Sequence, residues 1–399
     1  MRTYRVFTNE HVKKLNSATI MQIVNEYGPI SKIEISRMTG LNPATVTNLV
    51  KGLFDQKLLK IVGEDKSSGG RKPTLLALDD EYYFSIGATL YGDEVLFSAI
   101  NLKGDLIAKL SLPMGEVDYL FDFINLVDEN VSRLKKLCLR SYKKLYAIGL
   151  TTDGKIDTES GLLLDSPYYK WNRLNVKYIF ENAFNETVLF DTRARSMAIA
   201  EKIYGYGKNC SDLITVDIAG RISVGILAND KLVSGKNFGA GEISHIKVSN
   251  RNKCSCGKVG CLSTFITDRS LENRFEDRIE NGEMSLLLDK YNKNEITAAL
   301  IHQGAELGDK VCMQIVRDTG KYIGRGLSYL VNVINPEKIF ISGAYSATNI
   351  MNREINRGIA DFSFNKNLKE VYIGESSFRE NADLIGASSL GFKDIFFYE

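Results

Sequence analysis

The sequence predicts an α/β protein: a small helix-rich N-terminal domain closed by a hairpin, followed by a body of two similar α/β lobes. Three observations carry this. Residues 1–80 set two short helices around a glycine turn and follow them with paired strands. The body opens with three strands joined by tight turns, then a helix and another strand, and a second run of this kind begins at Leu213. Just past the middle, three of the six cysteines and one of the three histidines fall within seventeen residues, His245 to Cys261.

In the N-terminal domain, Val12, Leu15, Ile20, Ile23 and Val24 form a helical stripe from His11 to Glu26 that Gly28-Pro29 ends. Ser31-Lys32-Ile33-Glu34 reads as a capping box, and the short helix it opens stops at Gly40. Asn42 is the next N-cap, and Pro43 takes the first helical position, where a missing N–H costs nothing. That helix buries Val46, Leu49, Val50 and Leu53 and leaves Ala44, Thr45, Thr47, Asn48 and Lys51 facing outward. These residues are small, hydrogen-bonding or basic, as a helix entering a DNA major groove requires. Ala44, Thr45 and Asn48 are placed for base edges and Lys51 for phosphate.

A trihelical bundle used for protein contacts has the same helical spacing. The following hairpin separates the two readings. Leu58–Val62 and Thr74–Leu78 read as strands around a glycine-rich basic tip, a wing whose Arg71 and Lys72 can reach a minor groove or phosphates. Charge agrees: residues 1–78 carry a net +6 and the remainder −4.

In the body, Tyr83–Thr89, Glu94–Ile100 and Leu106–Ala108 are strands of a meander, followed by a helix over Leu120–Leu139 and a strand over Leu145–Leu150. The second run pairs Leu213–Ile218 with Ile222–Leu227 and Lys231–Val233. Later, a helix over Val311–Val333 precedes a strand at Lys338–Ser342. Domains are expected at 1–80, 81–200 and 201–399, with a C-terminal helix able to pack back on the first lobe and a small-molecule cleft between the lobes.

The spacing His245-x8-Cys254-x-Cys256-x4-Cys261 offers one imidazole and three thiolates, a donor set for a closed, structural tetrahedral Zn2+. A cluster of reduced structural cysteines is the alternative. No apolar run approaches the roughly 20 residues of a membrane span, and the N-terminus lacks a signal-peptide core. With its cysteines committed to a metal, the chain is expected in the cytoplasm.

Taken in combination, Gly28-Pro29-Ile30-Ser31, Gly69-Gly70-Arg71-Lys72-Pro73, Gly241-Glu242-Ile243-Ser244-His245 and Cys254–Cys261 resemble the ROK family of repressors and sugar kinases. The similarity is to its winged-helix regulators related to xylose and N-acetylglucosamine repressors, and it extends over essentially the whole chain. It implies an actin-like body of two ribonuclease H-type lobes, usually dimeric, with a sugar bound beside the zinc loop. Glu242 and His245 would then touch sugar hydroxyls, with His245 also on the metal.

The resemblance also shows what is missing. The family's Asn-Asp-Ala-Asn segment corresponds to Thr192-Arg193-Ala194-Arg195, so the proton acceptor of the kinases is Arg193, which cannot accept a proton. The first phosphate turn reads Ser85-Ile86-Gly87-Ala88-Thr89 without its acidic residue. The second has Arg221 where close backbone approach is needed, and the adenosine-side turn keeps only Gly343-Ala344. These departures argue against catalysis. Three sugar-contacting positions also differ: Tyr168, Thr192 and Ser263 replace Asn, Asn and Glu. Arg193, Arg195 and Arg221 either face an anionic ligand, such as a sugar phosphate or sugar acid, or pair internally with Asp191, Glu242 or Asp217.

The expectation is therefore a DNA-binding repressor of carbohydrate genes, dimeric on a palindromic operator and controlled by a sugar-derived effector. An active sugar kinase with an appended head and a ligand-independent repressor are the alternatives.

Overall fold

The computed structural model describes residues 8–64, 73–91, 94–113, 120–166, 171, 173–218, 221–343, 349–364 and 371–397. The expected basic wing tip, with Arg71 and Lys72, and the expected sugar contact Tyr168 lie outside these residues. The chain divides into two compact units, Met1–Lys208 with Asp383–Glu399, and Asn209–Ala382.

The first unit begins with α1 (Asn9–Tyr27), β1 (Ile30–Ser31), α2 (Lys32–Thr39), α3 (Pro43–Asp55), β2 (Leu59–Glu64) and β3 (Thr74–Leu78). The local signals act as expected. The Ser31 hydroxyl accepts from the Glu34 N–H while the Glu34 carboxylate accepts from the Ser31 N–H, and Gly40 takes a left-handed φ of 68°. The Asn42 side chain accepts from Ala44 N at 2.9 Å, one residue before Pro43 opens α3. Strands β2 and β3 pair antiparallel with a bulge at Ile61/Gly63, and β1 adds a third strand to β3.

The same unit continues through β4 (Tyr83–Tyr91), β5 (Glu94–Asn101), β6 (Leu106–Pro113), α4 (Leu120–Cys138) and β7 (Lys144–Thr152). Next come β8 (Lys155–Asp157), β9 (Leu162–Asp165), β10 (Leu174–Asn175), α5 (Val176–Phe184), β11 (Val188–Thr192) and α6 (Arg193–Ile203). The main sheet has the order β11-β7-β4-β5-β6: the meander β4-β5-β6 is antiparallel, and β7 and β11 run parallel to β4 and β7. Phe84, Phe97, Phe123 and Val127, each at most 2% exposed, centre its core against α4.

The second unit holds β12 (Leu213–Ile218), β13 (Ile222–Ala228), β14 (Lys231–Leu232), α7 (Ser263–Ile266), α8 (Asp268–Glu280), α9 (Ala298–Glu306) and α10 (Lys310–Ile334). It ends with β15 (Lys338–Ser342), α11 (Asn349–Phe362) and β16 (Tyr372–Glu375). Its sheet has the order β14-β13-β12-β15-β16, with β13 antiparallel and β15 parallel to β12. Hydrophobic residues of α10 and α11, including Ile323, Leu327 and Ile355, are fully buried against it.

The chain then returns to the first unit as α12 (Ala382–Leu390) and α13 (Lys393–Phe396). Helix α12 lies directly on the first sheet. A Cβ at Gly149 of β7 would sit 1.9 Å from the Ala387 carbonyl oxygen, so only glycine permits this approach. Among the described residues, no helix is long and apolar enough to cross a membrane.

Candidate nucleic-acid interface and metal centre

Helix α3 separates its two faces cleanly. Val46, Leu49, Val50 and Leu53 are at most 6% exposed, and burying each contributes about 1.5–3 kcal/mol. Ala44, Thr45, Thr47, Asn48 and Lys51 are all exposed, as the sequence reading places them. The Thr47 hydroxyl donates to the Pro43 carbonyl at 2.9 Å, so it meets an outside partner only as an acceptor. Thr45, Asn48 and Lys51 have no hydrogen bond or ion pair to another described residue that would hold them back. Rigid backbone and unengaged polar tips are what base readout requires.

The second cluster lies in the second unit. The ligand atoms of His245, Cys254, Cys256 and Cys261 lie within 4.8 Å of one another. His245 Nδ1 is 3.5 Å from Cys254 Sγ, and the sulfurs of Cys256 and Cys261 are 3.6 Å apart. A tetrahedral ion with bonds of about 2.3 Å to sulfur needs ligand separations of about 3.5–3.8 Å. The backbone enforces this convergence. Lys247 pairs with Cys261 and Lys253 with Val259, and a Cβ at Gly260 (φ +85°) would stand 1.7 Å from the Ser249 carbonyl. Burial raises the Cys254 thiol, but hydrogen bonds from the Cys256 backbone and the Ser263 hydroxyl outweigh it and bring it down to about 6. Burial and the two neighbouring thiols push Cys261 up to about 11. Three thiolates cannot all ionise at one point without a cation among them, so the donor set fits a metal ion.

The residues expected to meet an effector divide into two groups. Glu242 and His245 are exposed, the first preceding and the second ending the 3-10 turn Ile243–His245, while Ser263 is half-buried with its hydroxyl 3.6 Å from Cys254 Sγ. Thr192 is half-buried and caps α6, its hydroxyl accepting from Arg195 N at 3.4 Å.

Arg193 differs from the anion-binding expectation. It is 1% exposed; its Nε donates to Asp383 Oδ1 at 2.8 Å, its Nη2 to Asp383 Oδ2 at 3.4 Å and its Nη1 to Asp153 Oδ2 at 3.0 Å. Arg195 Nε donates to Asp191 Oδ1 at 2.7 Å, and both side chains are buried. A desolvated guanidinium needs counter-charge within bonding distance, and the fold supplies carboxylates rather than leaving the need to a ligand. Internal pairing, the second of the two readings of these arginines, describes both. Ser85 differs too. Residues 85–89 lie inside β4 rather than in a turn, and the Ser85 hydroxyl is buried against the Ala147 and Ser388 carbonyls at 3.1 and 2.8 Å. Asp153 and Asp383, the partners of Arg193, were not singled out from sequence; Asp383 is 190 residues away in the chain.

Residues 122–393 match the ROK family. The chain belongs to that family. This ROK protein is 28% identical over 386 residues to the xylose repressor of Caldicellulosiruptor bescii, covering 96% of this chain and 97% of that one. It is 27% identical over 336 residues to the DNA-binding transcriptional dual regulator NagC of Escherichia coli K12, covering 83% and 81%. Among solved structures, a ROK family transcriptional regulator homologous to the E. coli MLC protein superposes with a TM-score of 0.84 at 24% identity, covering 97% of this chain and 98% of that one. A ROK glucokinase from Streptomyces griseus, solved with glucose and AMPPNP, reaches 0.67 at 20% identity over 77% of this chain and 98% of its own. The glucokinase matches a smaller share of this chain than the regulator does.

Proposed function

We propose that the protein is a DNA-binding transcriptional repressor of carbohydrate-utilisation genes, controlled by a sugar or sugar derivative, with a body that no longer catalyses phosphoryl transfer. The observation that carries this is α3: a buried apolar face and an opposite face of five exposed, small or hydrogen-bonding residues behind a capped helix-turn-helix. Similarity to a xylose repressor over 96% of this chain, the N-terminal domain included in that span, supports it. Thr45 and Asn48 read base edges, Lys51 holds phosphate, and the wing with Arg71 and Lys72 adds further backbone contacts. A homodimer presents two such helices to a palindromic operator.

The His245/Cys3 centre holds a structural Zn2+, and Glu242 and His245 contact the effector, so one imidazole serves both metal and ligand. With Arg193 and Arg195 paired internally, no buried cation among the described residues of the first unit is left to demand an anionic effector, and a neutral sugar fits as well as a charged one. The kinase alternative requires a proton acceptor at residue 193 and meets a buried arginine. The test is selection of bound genomic fragments by the purified protein, followed by affinity measurements with and without xylose, N-acetylglucosamine and glucose 6-phosphate. Sequence-selective binding that weakens with one of these sugars supports the reading. Sugar phosphorylation from ATP without DNA selectivity would overturn it.

A further inference from the structure

Two elements of the first unit run from the Arg193 ion cluster to the same helix of the N-terminal domain. Helix α6 starts at Arg193, and the carbonyl of its last residue, Ile203, accepts a hydrogen bond from Asn25 Nδ2 of α1 at 2.5 Å. Helix α12 starts beside Asp383, whose carboxylate takes the Arg193 guanidinium. The chain leads on into α13, where the Phe396 carbonyl accepts from Gln22 Nε2 of α1 at 2.6 Å. Gln22 and Asn25 are three residues apart and so lie on one face of α1.

The two elements are also tied to each other. At the ion-cluster end, a Cβ on Gly386 of α12 would stand 2.9 Å from the Ser196 hydroxyl oxygen of α6. At the other end the rings of Tyr204 and Phe396 meet edge to face, with centroids 6.1 Å apart. Between these ends α12 is pegged to the sheet by the Ser98 hydroxyl, which bonds the Leu384 carbonyl at 2.7 Å and the Ser388 hydroxyl at 2.6 Å. The eleven residues of α6 make a rod about 16 Å long. Beside the contact between α1 and α13 lies a groove of about 560 Å³ lined by Lys13, Lys14, Ser17, Gln56, Tyr146 and Lys393, among others.

We propose that α6 and α12–α13 act as paired struts through which the state of the Arg193–Asp153–Asp383 cluster sets the docking of α1, with Asn25 and Gln22 as the coupling residues. The consequence for gene control rests on the reading of α2 and α3 as the DNA-binding helices; the mechanical link does not. A ligand that favours one arrangement of the ion cluster then favours one seating of the DNA-binding helices, and the coupling is reciprocal.

Amide hydrogen exchange on the full-length chain tests this without knowledge of effector or operator. Asp383→Asn removes the negative charge that takes two of the three Arg193 contacts and should speed exchange in α1 (residues 18–27) by about tenfold. Val127→Ala, a cavity in the same lobe's core away from both struts, should leave α1 at the wild-type rate. Asn25→Ala, made at a half-buried side chain on the rim of α1 rather than in the core, should in turn speed exchange at the start of α6 (residues 192–197). Unchanged α1 exchange in Asp383→Asn, or equal acceleration by Val127→Ala, overturns the proposal, as does an unaffected α6 start in Asn25→Ala. Duplex binding measured on the same samples separates the two claims. Coupled exchange without DNA binding would keep the struts and remove the regulatory reading.

Discussion

Replacing Arg193 by Met tests how much of the first unit's stability depends on the buried ion cluster. The guanidinium makes three N–O contacts of 2.8, 3.0 and 3.4 Å, and the side chains of Asp153 and Asp383 are only 10% and 13% exposed. Methionine fills much of the same space, so the cavity contribution is small. What is lost is counter-charge for two carboxylates with little access to water. Removing one partner of a buried pair costs about 3–5 kcal/mol, whereas exposed pairs are worth about 0–1 kcal/mol. Trp171, the single tryptophan, packs on Phe123 with centroids 4.9 Å apart and reports unfolding of this unit. Urea titration followed by its fluorescence should show a loss of about 3–5 kcal/mol for Arg193→Met at pH 7. The triple variant with Asp153→Asn and Asp383→Asn should recover most of it, since the remaining groups are uncharged. A single-variant loss below about 1 kcal/mol, or a triple variant no more stable than the single, would refute the reasoning.

At the proposed DNA-binding face, Asn48→Ala should weaken the selected duplex by about 1–3 kcal/mol and relax preference at one base position, whereas Lys51→Ala should weaken all duplexes and flatten the salt dependence by about one unit; fluorescence anisotropy across a salt series checks both. Metal analysis should find one zinc per chain, and Cys256→Ser should lose it together with amide protection over residues 245–261 while leaving the first unit's unfolding unchanged. Burial pushes His302 (4% exposed) down from 6.5 to about 4, so the folded state keeps it neutral. The unfolded chain therefore binds more protons below pH 6.5, and stability falls as pH drops from there toward 4, by at most about 3 kcal/mol. His302→Leu should remove that slope from the pH dependence of unfolding of the second unit.

The N-terminal domain was legible because its signals are local. Ser31, Glu34, Gly40, Asn42 and Pro43 each act within one helical turn, and α2, α3 and the hairpin follow from them. The meander and the His/Cys cluster were legible for the same reason, since a hairpin register and a metal loop are set over a few residues. The fate of Arg193 was not. Its spacing fixes the start of α6, but Asp153 and Asp383 reach it only through the return of α12 to the first sheet, a pairing across 190 residues that no local pattern encodes. The seating of α12 depends likewise on Gly149 and Ser98, which read in sequence as ordinary strand residues, and on Ser85, which reads there as part of a phosphate turn. The little sheet β8-β9-β10 was also missed, its strands of two to four residues being too short to show a period.

Binding of the purified full-length protein to its selected genomic duplex, compared between wild type and Asn48→Ala with ATP and sugar turnover assayed on the same preparation, addresses the central claim most directly. A sequence-selective complex that the α3 substitution weakens, with no phosphorylated sugar formed, is the result expected of a repressor built on a non-catalytic body. Sugar phosphate accumulating with ATP, and duplex binding indifferent to both sequence and Asn48, would contradict it.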